Sequence, residues 1–170
     1  MRLVVVGGVA GGMSAAARAR RLDETAEIIV LDRGAHVSFA NCGLPYFVGG
    51  EIENERSLLV QTPASLKAAL DLDVRVRHDV TALDTATRTL TVQTEVGTEQ
   101  LHYDALILSP GALAVRPPLP GLDSPRVHTL RTVEDATTLR TIVTARARRA
   151  VVLGGGFIGI EAAEALRAQG

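Results

Sequence analysis

The sequence has little sulfur, few aromatic rings and almost no lysine. Cys42 is the single cysteine among 170 residues, so the chain cannot close a disulfide of its own. A solitary thiol agrees with a reducing compartment, where thiols do redox chemistry more often than they staple folds. Three Phe, two Tyr and no Trp leave an aliphatic core and make large stacking surfaces scarce. Charge of one sign is lacking too. With 18 basic against 19 acidic residues, electrostatics supports neither a nucleic-acid partner nor a membrane surface. Of those 18 basic residues only Lys67 is a lysine, which reads as Arg- and Ala-rich composition rather than a designed arginine site. No apolar run approaches the length of a membrane span, and Met1 to Val6 enters a strand at once without a signal-peptide layout, so the chain reads as cytoplasmic. His36, His78, His102 and His128 lack the spacing of metal ligands, and no metal is expected.

What is present begins with a strand, a glycine turn and a helix. Leu3 to Val6 is a continuous apolar run followed by Gly7-Gly8-Val9-Ala10-Gly11-Gly12, and Met13 to Leu22 has the Ala- and Arg-rich look of a helix. Glu27 to Leu31 is a second β-rich run that ends at Asp32, where a dinucleotide fold places the acid that bonds ribose hydroxyls. Gly7 permits the tight turn, Gly12 lets the helix pack close on the strand, and the helix N-terminus faces negative charge. The middle position of G-x-G-x-x-G is Val9, a departure from the pattern. By pattern alone, dinucleotide binding and a merely glycine-rich βα turn both stand; Asp32 favours the former.

Ser38-Phe39-Ala40-Asn41-Cys42-Gly43-Leu44-Pro45-Tyr46 holds the thiol. Cys42 reads either as a small buried hydrophobe or as a reactive group. Asn41 is a good N-cap, Gly43 lets another group approach the backbone, and Leu44 to Val48 is expected to be a short helix with Cys42 in its first turn. There the free N–H groups and the helix dipole would favour thiolate, the reactive species. Pro45 is tolerated within that turn.

Further along, Leu58 to Val60 is a short apolar run, and Thr62-Pro63 opens a helix through Leu70. From Val74 the pattern turns to period two through Val74 to Arg77, Val80 to Leu83, Thr89 to Thr94 and Leu101 to Tyr103, which together predict a small antiparallel meander. Asp104 to Leu108 reads as a buried strand running into Ser109-Pro110-Gly111-Ala112. Pro117-Pro118-Leu119-Pro120-Gly121 cannot continue a helix or a central strand and marks a linker. Beyond it Val127 to Leu130 is β-like, Val133 to Arg146 helical, and Ala150 to Leu153 a buried strand. That strand enters a second turn in which Gly154, Gly156 and Gly159 fit G-x-G-x-x-G, followed by a helix over Ile160 to Ala168. The expected organisation is a first domain over residues 1–116, a linker over 117–121 and the truncated start of a second domain over 122–170. A lone strand and helix cannot bury their apolar faces, so the chain reads as a fragment of a longer protein or as one whose remaining surfaces partners cover.

The Ser38 to Tyr46 segment resembles the active-site segment of coenzyme A disulfide reductases. These are single-cysteine members of the flavin-dependent pyridine nucleotide-disulfide oxidoreductases, close to NADH oxidases and NADH peroxidases. The opening Gly-Gly-Val-Ala-Gly-Gly is similar to theirs, and the order of flavin turn, redox cysteine, Ser-Pro-Gly-Ala, proline linker and nicotinamide turn matches over essentially the whole chain. The resemblance implies an α/β fold. A Rossmann-like FAD-binding domain with its antiparallel meander would be followed by the beginning of a second, NAD(P)-binding one.

The resemblance also implies roles. FAD would lie on Gly7, Gly8, Val9, Ala10, Gly11, Gly12, Asp32, Arg33, Val80, Ser109, Pro110, Gly111 and Ala112, with Arg131 added. Cys42 would be the nucleophile beside the flavin, and coenzyme A would meet Ser14, Arg18, Arg21, Ser38 and Asn41. For Arg18 and Arg21 the alternative is a solvated helix face. A family lysine falls on Leu70, and Lys67 lies one turn earlier. NADH or NADPH would bind at Gly154, Gly156 and Gly159. Glu161 resembles a family glutamate near the flavin–nicotinamide junction, with a helix-surface carboxylate as the alternative. The implied reaction carries electrons from NAD(P)H through FAD and Cys42 to coenzyme A disulfide or a related disulfide or persulfide. The enzyme would be a homodimer in its full-length form. NADH oxidase or peroxidase chemistry through a Cys42 sulfenic acid is the first alternative. A flavin-binding or interaction module without turnover is the second.

Overall fold

A computed structural model describes residues 1–145 and 149–170. The chain divides into two compact units, Met1–Phe39 with Leu59–Gly111, and Ala40–Leu58 with Ala112–Gly170. No helix among the described residues is long and apolar enough to cross a membrane.

The first unit is built on a parallel sheet. Its strands are β1 (Arg2–Val6), β2 (Glu27–Asp32), β3 (Asp73–Val76) and, last in the chain, β7 (Ala105–Leu108), in the order β3-β2-β1-β7. β1 lies in parallel register with both β2 and β7, Val5 opposite Val30 and Ile107. The unbroken apolar runs of β1 and β2 follow from burial on two faces. Leu3, Val5, Ile28 and Val30 pack with Met13 and Ala16 of α1 (Ala10–Leu22) and Leu66 of α3 (Pro63–Leu70). Val4, Ile29 and Leu31 pack with Leu90, Val92 and Tyr103 on the other side. Each such fully buried side chain contributes about 1.5–3 kcal/mol.

Leu90 and Val92 belong to a second sheet of three antiparallel strands, β4 (Asp79–Asp84), β5 (Thr89–Thr94) and β6 (Gly97–His102). The meander therefore has three strands and not four. The Val74 to Arg77 run alternates as expected, but β3 pairs parallel with β2, Val74 opposite Val30. Alternation gives a strand's faces and not its partner. α3 starts as its sequence dictates: Thr62 Oγ1 accepts from the Ser65 N–H at 3.1 Å, Ser65 Oγ accepts from the Thr62 N–H at 2.9 Å, and Pro63 opens the helix.

The second unit is helical among its described residues. A 3-10 turn, Asn41–Gly43, runs into the six-residue α2 (Leu44–Gly49). A second 3-10 turn follows at Glu55–Leu58, then α4 (Val133–Thr144) and α5 (Phe157–Ala168). α2 packs against both long helices, and a Cβ at Gly49 would lie 3.1 Å from Ala165 of α5. The end expected for α4 at Arg146 lies outside the described residues.

Two expected strands do not form here. Val127 to Leu130 and Ala150 to Leu153 have no ladder partner, and Val151 and Leu153 are 95% and 66% exposed. An apolar run becomes a strand only where another strand accepts its backbone hydrogen bonds. None of the described residues of this unit offers one. Residues 117–121, as expected, are neither helix nor strand.

Candidate functional site

In the first unit the glycine turn is a closed piece of backbone geometry. Gly7 has φ +99°, a conformation that disfavours a side chain, and its N–H donates to Leu31 O at 2.8 Å. A Cβ on Gly7 would overlap the carbonyl of Ser109, and one on Gly12 would overlap the carbonyl of Gly7. Val9, by contrast, has φ −101°, so the left-handed backbone that favours glycine is not required at this departure from the pattern. α1 begins here with no side-chain cap and no acidic residue in its first turn. Its leading N–H groups thus have no side chain competing with an anion.

Asp32, at the end of β2, accepts from the Gly8 N–H through Oδ2 and from the Gly34 N–H through Oδ1, each at 2.7 Å. Two bonds leave further acceptor sites on the carboxylate for hydroxyl groups. Ser38 donates its N–H to Gly8 O at 2.9 Å and holds φ +47°, and the Ser109 side chain occupies the space above Gly11. Gly7 to Gly12, Asp32, Ser38 and Ser109 are therefore brought together. The donors, the acid and the glycine-only approach fit the diphosphate and ribose of a dinucleotide such as FAD.

The remaining first-unit residues stand further apart. Arg33 and Pro110 are exposed, Gly111 takes φ +74°, and Val80 packs half-buried on the Leu90 and Val92 cluster beside a register shift in β4. Ser14, Arg18 and Arg21 are all exposed, and their spacing of four and three places them on one face of α1. Arg20 between them is buried and binds backbone carbonyls instead.

In the second unit Cys42 is exposed in the 3-10 turn, directly before α2. Burial of Leu44, Pro45, Phe47 and Val48 anchors that helix and leaves the thiol outside the core. Asn41 does not cap. Ala40 and Gly43 hold the cap positions without side-chain bonds, and Asn41 Oδ1 is buried with no partner among the described residues. The run from 3-10 turn into helix leaves Asn41 inside helical backbone, where a cap has no role. Its carbonyl oxygen is an unmet acceptor, and such a group normally has a partner.

Asn41, Cys42, Leu44, Pro45, Leu130, Arg131, Ile158 and Glu161 line a pocket of about 190 Å³. Four of these residues are aliphatic, and the other four bring one amide, one thiol, one cation and one carboxylate. Arg131 is held at its backbone, where its N–H donates to Asp135 Oδ2 at 2.8 Å, and at its side chain, where Nε donates to Ala112 O at 3.3 Å. Glu161 is half-buried on α5.

The second glycine turn repeats the first in its backbone. Gly154 has φ +117°, a Cβ on Gly159 would overlap the Gly154 carbonyl, and Gly156 caps α5 with no side-chain bond and no acid in the first turn. This suits a second nucleotide diphosphate.

A model of the pyridine nucleotide-disulphide oxidoreductases matches residues 1–170. The chain belongs to this family. Among curated family members it is 39% identical, over 99% of its length, to the coenzyme A disulfide reductase of Staphylococcus haemolyticus (strain JCSC1435), of which it covers 38%. Among solved structures it is similar to the reduced CoADR-RHD of Bacillus anthracis, with TM-score 0.95, 45% identity, and coverage of 99% of this chain and 31% of that one. It is also similar to an NAD-dependent persulfide reductase from A. fulgidus, with TM-score 0.95, 36% identity, and coverage of 99% and 32%. The chain thus spans less than two fifths of the length of these relatives.

The resemblance implies roles for Asn41, Cys42, Arg131 and Glu161, and Leu44 and Pro45 fall within its segment. Leu130 and Ile158 carry no local signal, because lining a pocket is a property of tertiary packing. The same holds for Arg140, whose environment emerges only from the fold.

Proposed function

We propose that this chain is the flavin- and thiol-bearing part of an oxidoreductase that passes electrons from NADH or NADPH through FAD and Cys42 to coenzyme A disulfide or a related disulfide or persulfide. The observation that carries the reading is the exposed Cys42 in the lining of a pocket that it shares with Arg131, Glu161 and four aliphatic residues. Its domains are residues 1–116 for FAD, a linker over 117–121 and the start of the NAD(P)-binding domain over 122–170. It works as a homodimer in the full-length form and in the cytoplasm, where the Cys42 thiol stays reduced.

Gly7 to Gly12 and the start of α1 bind the FAD diphosphate, Asp32 the ribose, and Arg33, Val80, Ser109 to Ala112 and Arg131 complete that set. Gly154, Gly156 and Gly159 bind the nicotinamide dinucleotide. Bound FAD supplies two-electron transfer between a hydride donor and sulfur. Cys42 Sγ attacks one sulfur of the disulfide, forming a mixed disulfide and releasing the first thiolate. Two electrons and a proton then cleave the mixed disulfide, regenerating Cys42 and releasing the second thiol. Ser14, Arg18, Arg21, Ser38 and Asn41 orient the acceptor, with the arginines suited to its phosphates.

The test is Cys42→Ser. NADH oxidation is expected to require coenzyme A disulfide and to fall by at least about a hundredfold in the variant while the yellow flavin stays bound. Turnover that survives in Cys42→Ser overturns the reading. NADH oxidation without any disulfide, lost in the same variant, replaces it by the oxidase.

A further inference from the structure

We propose that Arg140 is a positioning residue for Cys42. It secures the segment on which the thiol's turn rests, so that one helix, α4, sets both Cys42 and Arg131 at the same pocket. The inference rests on the reading of Cys42 as the redox thiol.

The turn Asn41–Gly43 has few fixings of its own. The Ala40 N–H donates to Leu58 O at 2.8 Å and the Gly43 N–H donates to Ala40 O at 2.9 Å, while Asn41 Oδ1 has no partner among the described residues. Under the turn, a Cβ at Gly43 would lie 3.0 Å from Leu58 and 3.2 Å from Ile52. Gly43, the residue after Cys42, therefore rests on a floor made by Ile52 and Leu58. Ile52 lies in irregular backbone between α2 and the 3-10 turn Glu55–Leu58, and Leu58 is the last residue of that turn.

α4 binds this segment through its side chains. Arg140 Nη1 donates to Phe47 O and, at 2.7 Å, to Ile52 O, and its guanidinium lies 4.6 Å from the centre of the Phe47 ring. One turn earlier Thr137 Oγ1 donates to Glu55 Oε2 at 2.7 Å. The two side chains are three residues apart and share a face of the helix. One grips the floor at Ile52 and the other at the turn that carries Leu58.

The choice of side chain is specific. Both carbonyls are bound by one guanidinium nitrogen, Nη1, which leaves the rest of the weakly hydrated, delocalised cation over the Phe47 ring, a contact that a compact, strongly hydrated ammonium makes less well. At its other end α4 starts with a capping box, Thr132 with Asp135. Asp135 Oδ2 also receives the Arg131 N–H. The same helix thus places the pocket's cation through its first turn and the pocket's sulfur through Thr137 and Arg140.

The experiment compares Arg140→Met, Arg140→Lys and Thr137→Val in the FAD-loaded protein by three measurements: amide exchange at Ala40 and Gly43, the rate of Cys42 alkylation by iodoacetamide, and kcat and KM for coenzyme A disulfide. In Arg140→Met, exchange at Ala40 is expected to quicken about tenfold. The alkylation rate should shift severalfold, and kcat should fall about tenfold with KM within about twofold. Arg140→Lys should restore the melting temperature but only part of kcat, and Thr137→Val should follow in the same direction with smaller changes. Unchanged exchange and alkylation in both Arg140 variants overturn the proposal, even if the melting temperature drops. Should Arg140→Met not fold, Arg140→Lys and Thr137→Val decide by the same measurements. Failure of the redox reading shows separately, as turnover persisting in Cys42→Ser, because the exchange measurement does not depend on turnover.

Discussion

The two glycine turns share a backbone design and differ in what surrounds them. In each, a glycine in the left-handed region begins the turn and a later glycine comes so close to the first one's carbonyl that a methyl would overlap it. Around Gly7 the strand is paired on both sides and a Cβ would also overlap Ser109. Around Gly154, Gly155 and Gly156 nothing stands within 4 Å of where a Cβ would be, and Val151 and Phe157 are 95% and 88% exposed. Turn geometry is local and can be written in six residues. The strand that feeds the turn is not local, because its hydrogen bonds belong to its neighbours.

The largest effect that could break this comparison comes from adding one methyl to each turn. Gly12→Ala is expected to cost about 4 kcal/mol or to prevent folding of the first unit, since β1, α1 and Ser109 leave no room for relief. Gly159→Ala meets the same overlap and gains the same helix propensity, but the open backbone of residues 154–156 can shift. About 1 kcal/mol is expected there. Urea melts of the two variants measure the contrast. Equal losses would mean that the overlap alone, and not its surroundings, sets the cost.

The units also share a device, an arginine that collects backbone carbonyls. Arg20 is buried in the first unit and donates to Leu70 O, Asp23 O, Glu24 O and Asp71 O at 2.7–3.3 Å, joining the C-terminal ends of α1 and α3. Removing the cation strands last-turn carbonyls that have no intrahelical partner. Arg20→Met is expected to cost about 3 kcal/mol, read from the midpoint of chemical denaturation, with bound flavin per folded molecule unchanged. Arg140→Met, on a less buried cation in the second unit, should cost less stability while moving Cys42. A reversal of that order would show that burial is the wrong way to rank the two.

Much of this could be read from the residues. The β1-turn-α1-β2 unit, the α3 start at Thr62-Pro63 and the acid at Asp32 follow from periodicity, capping and spacing, which are local rules. Misreadings arise where a partner decides. Val74 to Arg77 carries the alternation of a meander strand yet lies beside β2, and Ala150 to Leu153 carries the composition of a buried strand yet pairs with nothing described. Asn41 has the chemistry of a cap, but the 3-10 turn absorbs it. Arg20 and Arg140 are indistinguishable in the sequence from the exposed Arg18 and Arg21, because what they bind is backbone, which has no composition.

The smallest expected effect is electrostatic and sets the first unit apart by pH. Asp23, Asp71, Asp84 and Asp104 are held below the ordinary carboxyl range, and all four lie in that unit. Asp104 is the one that joins strands. Its Oδ2 accepts from the Arg2 N–H at 2.6 Å, the main cause of its lowered value, while its own N–H donates to Arg2 O at 2.9 Å, tying the start of β1 to the entry of β7. A carboxyl whose folded value lies below its ordinary 3.8 adds stability above that value and loses it as pH falls through the lower one. Asp104→Asn keeps an acceptor but removes this linkage. The variant should therefore melt slightly below the parent near neutral pH, and the gap should close as the buffer is taken down to about pH 2.5. Since the group is fully exposed, the gap should also shrink in high salt. A gap that stays constant across that range would show that Asp104 acts through the shape of its turn and not through its charge.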